Sequence, residues 1–271
     1  MTEKATNKGI PDSIKKLSIQ VSLNGLSFFV VDGISKKLLL FDEFHFKNTA
    51  SPYHLLKALK ERFEKHKILE MRYEEVSVIH WNNMFTLVPK SLFEPNEMAN
   101  YLKFNTKLMA NDEIVFDTLN NQEINVVYVP FTNINNYVFD CFGEFEFKHQ
   151  ATEMLQTVFD QKNTEKSCFV HVGPKTLELA VLDGKKLLLY NQFQYQNQED
   201  FLYYVLFTYE QLDLNTEECK LQLFGTVAEN DTIFNICHSY IQKVVVFEPN
   251  KVPVIFMNIG ENSIDFSSLN T

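Results

Sequence analysis

The strings Asp32-Gly33-Ile34-Ser35-Lys36-Lys37-Leu38-Leu39-Leu40-Phe41 and Asp183-Gly184-Lys185-Lys186-Leu187-Leu188-Leu189-Tyr190 decide the fold. With Ile34-Ser35 set aside they read alike: Asp-Gly, two lysines, three leucines, an aromatic. Phe44 and Phe46 then match Phe193 and Tyr195. An insertion of two residues at a hairpin tip is where such a change is tolerated.

The match extends outward on both sides. Before the first string, Leu17 to Leu23 alternates polar and apolar residues, the pattern of a half-buried strand. Asn24-Gly25 reads as a two-residue type I′ turn, because both turn positions need φ > 0. Leu26 to Val31 is the return strand and Lys36 to Phe46 the third. In the second copy, Phe169 to Val172 and Thr176 to Leu182 flank Gly173-Pro174-Lys175, and Lys185 to Tyr195 is the third strand. A helix follows each unit. Ser51-Pro52 supplies an N-cap and N1 pair ahead of Leu55, Leu56, Leu59 and Phe63. Asn197 caps the helix that carries Phe201, Leu202, Val205, Leu206 and Tyr209. A strand closes each unit, Val76 to Trp81 and Lys220 to Phe224. The same order of elements over about fifty residues marks an internal duplication.

The first half carries extra material: a strand at Met84 to Pro89, a short helix at Asn96 to Phe104, and the continuous apolar run Ile124 to Pro130, which suits a buried central strand. Helices near Asn133 to Phe142 and His149 to Gln161 lead into the second half. That half adds a helix from about Ala228 to Tyr240 and strand-like runs at Lys243 to Phe247 and Val252 to Met257. The expected organisation is a disordered tail at 1–14, a first half at 15–161, a linker at 162–166 and a second half at 167–271.

Composition bounds the function. Of 271 residues, 45% are hydrophobic and 22% charged, the balance of a folded protein, and 25 phenylalanines imply an aromatic core. A net charge of −10 with scattered basic residues argues against nucleic acid and against an anionic membrane surface as partners. Cys141, Cys168, Cys219 and Cys237 form no C-x-x-C pair and read as buried free thiols in a reducing cytoplasm. Met1 to Lys16 lacks the apolar core of a signal peptide, and no window approaches the ~18 apolar residues of a membrane span. The expected location is the cytoplasm.

Three meander strands, a helix and a further strand, occurring twice, resemble the actin-like ATPase superfamily, in which two ribonuclease-H-like α/β halves, each a mixed sheet with helices, face a nucleotide cleft. The opening Leu17 to Phe46, the segment Thr86-Leu87-Val88-Pro89-Lys90-Ser91-Leu92-Phe93 and Tyr101-Leu102-Lys103-Phe104-Asn105 resemble more closely a bacterial domain-of-unknown-function family with that fold. The fold is more distantly similar to pilus-assembly scaffold proteins. The resemblance covers almost the whole chain and brings no activity with it.

It does imply where nucleotide chemistry would sit. Actin-like ATPases carry Asp-x-Gly on the first hairpin of each half, where backbone N–H groups cradle phosphate and the Asp helps hold hydrated Mg²⁺. The matching positions here are Gln20-Val21-Ser22 and His171-Val172-Gly173. Gln lacks the carboxylate charge, and neutral His is a poor Mg²⁺ ligand. The strand-then-Gly-Gly segment for adenosine has one glycine, Gly225, before Thr226. If nucleotide binding survives, Gly173, Lys175, Thr176, Gly225 and Thr226 are its residues, but ATP and Mg²⁺ are disfavoured and no cofactor is expected. No Gly-x-Ser-x-Gly elbow or His-Glu-x-x-His is present. His80 and His238 read as structural, and Asp42-Glu43, adjacent on a strand, point to opposite faces and form no catalytic dyad.

The leading expectation is therefore a non-catalytic actin-like scaffold whose partner is another protein. An ATP-binding or phosphotransfer protein with an atypical site is the alternative. A small-molecule binder using the cleft for something other than nucleotide is the third.

Overall fold

The computed structural model describes residues 14–119, 122–161 and 164–247. The strand expected at Val252 to Met257, the tail at 1–13 and linker residues 162 and 163 lie outside the described residues.

Strands β1 (Lys15–Ser22), β2 (Gly25–Asp32) and β3 (Leu38–His45) form the first meander, followed by helix α1 (Pro52–Lys65) and strand β4 (Glu75–Trp81). Then come β5 (Phe85–Pro89), α2 (Met98–Leu102), β6 (Val115–Leu119), β7 (Ile124–Tyr128), α3 (Thr132–Phe142), β8 (Glu146–His149) and α4 (Gln150–Phe159). The second meander is β9 (Lys166–Val172), β10 (Thr176–Asp183) and β11 (Lys186–Gln194), followed by α5 (Gln198–Gln211), β12 (Lys220–Gly225), α6 (Thr232–His238) and β13 (Val244–Val246). The two main sheets have one order, β3-β2-β1-β4-β8 and β11-β10-β9-β12-β13, and a third sheet is β5-β7-β6. In each main sheet the meander is antiparallel, and the strand after the helix pairs parallel to the first, β4 with β1 and β12 with β9. The duplication read from the sequence is the topology of the molecule.

The capping residues act as expected. Ser51 accepts from His54 N with Pro52 at the first helical position, and Asn197 accepts from Asp200 N. The two Asp-Gly turns differ by the two residues that the sequence shows. Asp183 pairs directly with Lys186 around Gly184 at φ +59°. Asp32 instead spans to Lys37, its carboxylate accepting from Ser35 N at 2.7 Å and Ile34 N at 3.1 Å.

One turn is corrected. Ser22 pairs with Gly25, so the hairpin loop is Leu23-Asn24 rather than Asn24-Gly25, and neither residue has positive φ, which excludes type I′. Gly25 is needed for a different reason: a Cβ there would lie 2.4 Å from the carbonyl oxygen of Phe44 on β3. Close backbone approach, not turn geometry, selects the glycine. Two further elements are shorter than their sequence readings: α2 spans Met98–Leu102, and Asp231 delays α6 to Thr232 by capping it through Phe234 N at 2.7 Å. Ile14, placed in the tail by the sequence, accepts a hydrogen bond from Gly33 N.

Alternation along the strands sends side chains to two cores. On one face Leu17, Ile19 and Val21 of β1 meet Leu55, Leu59 and Phe63 of α1. In the second half Cys168, Val170 and Val172 of β9 meet Phe201, Val205 and Tyr209 of α5, with Cys219 and Cys237 in the same core. Each such apolar side chain contributes about 1.5–3 kcal/mol on burial. On the opposite face of the second sheet, Phe169, Ala180 and Phe224 pack on Met154 and Leu155 of α4, together with Tyr128 of β7. Helix α4 thus lies between the halves, which explains why it is buried on most sides, Glu153 included. The apolar run Ile124–Tyr128 is the central strand of the third sheet, as its composition suggests. No helix among the described residues is long and apolar enough to cross a membrane.

Candidate functional site

The faces of β1 and β9 that do not carry the helix-facing apolar residues look toward each other. They place Gln20 and His171, the two positions where the resemblance calls for Asp, on the walls of one cavity of about 130 Å³ between the halves. The same alternation brings in Thr176 and Gln192 from β10 and β11, because Leu177 and Phe193 beside them belong to the other core. On the first half, Phe44 faces α1 and Glu43 faces the cleft. Asp42, on the other side, binds Arg62 Nη1 at 3.0 Å and His66 Nε2 at 3.0 Å. The two carboxylates do point apart.

Neither of these two positions, Gln20 and His171, carries a carboxylate. Gln20 donates through Nε2 to Gln150 Oε1 of α4 at 3.3 Å and accepts from Ser27 Oγ at 3.3 Å. His171, 1% exposed, donates through Nδ1 to Oε2 of Glu178 at 3.1 Å. Tyr190 donates to the other oxygen of Glu178 at 2.6 Å. Burial beside that carboxylate pushes the Tyr190 hydroxyl well above its ordinary range. Sequence reading missed Glu178, although the hairpin register, which sets it opposite His171, carries the signal.

Trp81, at the end of β4, fills the space between the hairpins. Its ring lies 5.1 Å from that of His171, centroid to centroid, and a Cβ at Gly173 would stand 2.5 Å from its Cη2. Trp81 Nε1 and Gln192 Oε1 are buried without a hydrogen-bond partner among the described residues. Of the five residues named for nucleotide binding, Gly173, Lys175, Thr176 and Thr226 line the cavity. Gly225 does not. It lies at φ +93° under His171, with a Cβ position 2.5 Å from Val172 O. Thr226 spends its hydroxyl on Val172 O at 2.7 Å. No group of three or more His, Cys, Asp or Glu that could hold a metal occurs among the described residues.

His80 and His149 are structural. His80 accepts from Phe131 N through Nδ1 and meets Asn135 Oδ1 through Nε2 at 2.9 Å. His149 accepts from Ala151 N and donates to Asn82 O. Burial lowers His80 to about 4 and His149 to about 3.

Comparison with known families decides the affiliation. Residues 6–244 match the family described as protein of unknown function DUF3822. The chain belongs to the DUF3822 family. This member has the actin-like ATPase fold. It is similar to a Bacteroides thetaiotaomicron protein with actin-like ATPase fold and unknown function, at 22% identity and TM-score 0.78, covering 98% of each chain. A PilM–PilN type IV pilus biogenesis complex matches at 12% identity and TM-score 0.61, covering 95% of this chain and 97% of that one. The ethanolamine utilization protein EutJ from Carboxydothermus hydrogenoformans matches at 9% identity and TM-score 0.51, covering 86% and 84%. No curated protein matches significantly.

Proposed function

We propose that this DUF3822 member is a non-catalytic actin-like module that acts by binding another protein in the cytoplasm. The observation that carries this reading is Trp81. Its indole sits against Gly173 and His171, in the space between the hairpins where an actin-like ATPase holds phosphate. The remaining cavity of about 130 Å³ is under half of the ~300 Å³ at the small end of ligand pockets. With Gln20 bound to Gln150 and His171 to Glu178, no carboxylate stands at either former Asp position.

Support for a protein partner comes from the outer surface. Tyr203 and Phe207 on α5 are 60% and 42% exposed and stack at 5.9 Å, forming an aromatic ridge of the kind that marks interaction surfaces. One relative of this fold, PilM, forms a complex with PilN.

Isothermal titration of the full chain with ATP and Mg²⁺ tests the loss of nucleotide binding. No heat at millimolar ATP is expected, and micromolar binding overturns the proposal. Affinity capture from the native host, run beside a Tyr203→Ser, Phe207→Ser double variant, tests the partner. One protein retained by the natural chain and lost by the variant is expected, and equal retention overturns the ridge as the docking surface.

A further inference from the structure

The duplication supplies an internal control for the exposed face of α5. Helices α1 and α5 each run 14 residues from a capping side chain, Ser51 and Asn197. Counted from those caps, Leu55, Leu59 and Phe63 match Phe201, Val205 and Tyr209, and all six are buried. The outward positions differ. Where α1 carries Lys57 and Glu61, an exposed pair at 3.9 Å, α5 carries Tyr203 and Phe207, whose rings stack at 5.9 Å. The fold therefore does not require aromatic residues there. The ridge is also held in place. Tyr203 meets Tyr204 edge-on at 5.4 Å, and Tyr204 stacks on Phe193 of β11 at 4.5 Å. Rings fixed in this way lose little freedom on contact.

The charge around the ridge selects its occupant. Helical spacing sets Glu199 one turn before Tyr203 and Glu210 one turn after Phe207, on the same outward stripe. Both are exposed, and neither makes an ion pair among the described residues. Helix α5 contains no Lys or Arg, whereas α1 contains Lys57, Lys60, Arg62 and Lys65. The whole chain carries a net charge of −10. We infer that the ridge docks a cationic segment of a different protein, one that sets an arginine beside an apolar side chain. A guanidinium stacks on Tyr and Phe rings and pairs with carboxylates, so it satisfies both features of this stripe. A second copy of the chain is the poorer fit. The cations of α1 are already engaged, Lys57 with Glu61, Lys60 over the Tyr137 ring, and Arg62 and Lys65 with Asp42. Two chains of like net charge also repel.

The inference rests on the docking reading above and adds the chemistry of the partner. The test uses the full chain and two fluorescein-labelled helical peptides of equal length that share one leucine stripe, flanked by arginine in one and by glutamate in the other. Fluorescence anisotropy reads binding. The arginine peptide should bind about tenfold more tightly than the glutamate peptide, and added salt should weaken it. Tyr203→Lys with Phe207→Glu gives α5 the pair that α1 carries and leaves the net charge unchanged. This swap should weaken the arginine peptide by about tenfold, which attraction to the bulk charge alone would not do. Glu199→Gln and Glu210→Gln should each weaken it by about two- to fivefold. An unchanged melting temperature verifies folding, and the Tyr203→Ser, Phe207→Ser variant replaces a swap that fails this check. The inference fails if the arginine peptide does not bind, or if it binds the swapped chain equally well. It also fails if the natural chain self-associates through the ridge, read in sedimentation as a concentration-dependent mass that the swap abolishes. Host capture separates the two proposals. A protein lost with the swap, yet indifferent to salt and to both glutamate variants, keeps the docking reading and removes the cationic partner. Equal capture by the natural and swapped chains removes both.

Discussion

The indole of Trp81, from the first half, lies at 5.1 Å from the imidazole of His171, from the second, and the halves meet across the cleft through these two rings. Trp81 is only partly buried, so Trp81→Ala should cost less than the about 3–5 kcal/mol of a fully buried tryptophan. A loss of about 2 kcal/mol is expected, read as a lower urea midpoint. An unchanged midpoint would show that the ring holds nothing together.

Acid should weaken the fold through His80 and His149. Both are neutral when folded, at about 4 and about 3, against about 6.5 in the unfolded chain. Below about pH 6.5 the unfolded state takes up protons that the fold refuses, so stability falls with pH, by up to about 1.4 kcal/mol per unit for each ring. Asp117 and Glu153, raised by burial, act in the opposite sense and reduce the net slope. Urea midpoints should still drop from neutral pH to pH ~5, and His80→Gln should flatten the drop.

Two glycines with positive φ should respond differently to alanine. Gly184, at φ +59°, has open space at its Cβ position, so Gly184→Ala should cost about 1 kcal/mol of backbone strain alone. Gly225→Ala adds a clash with Val172 O at 2.5 Å and with the His171 ring. It should cost more than about 3 kcal/mol. Equal thermal shifts for the two variants would contradict the packing under His171.

Asp42 ties β3 to α1 through Arg62 and His66, and its side chain is 11% exposed. Asp42→Asn keeps the size and loses the charge. With Arg62 left half-satisfied, a loss of about 2 kcal/mol is expected. Because the pair is shielded, the loss should persist in molar salt, unlike that of the exposed Lys57–Glu61 pair.

Much of this architecture was legible because its signals are local. The repeated Asp-Gly-Lys-Lys-Leu string, the Ser51 and Asn197 caps and the run Ile124–Tyr128 each report on their own segment, and the sheets follow them. Strands β6 and β8 were not anticipated: β8 has four residues, and Val115–Leu119 carries no clear alternation beside its loop. The turn at Leu23-Asn24 misled because Gly25 was read for turn chemistry when its constraint comes from β3. At the cleft, the sequence places Gln20 and His171 correctly as equivalents. What it hides is the filling of the cleft by Trp81, which depends on how one half sits on the other, whereas Glu178 beside His171 follows from the β9–β10 register.

The burial of Cys168, Cys219 and Cys237 in the core of the second half has an experimental consequence. Burial raises all three thiols, Cys237 to about 12, while Cys141 on α3 of the first half is partly exposed. A thiol-alkylating reagent should therefore mark Cys141 in the folded protein and the other three only when the second half opens. The chain thus carries its own clock for the opening of its second half, readable by mass spectrometry after alkylation.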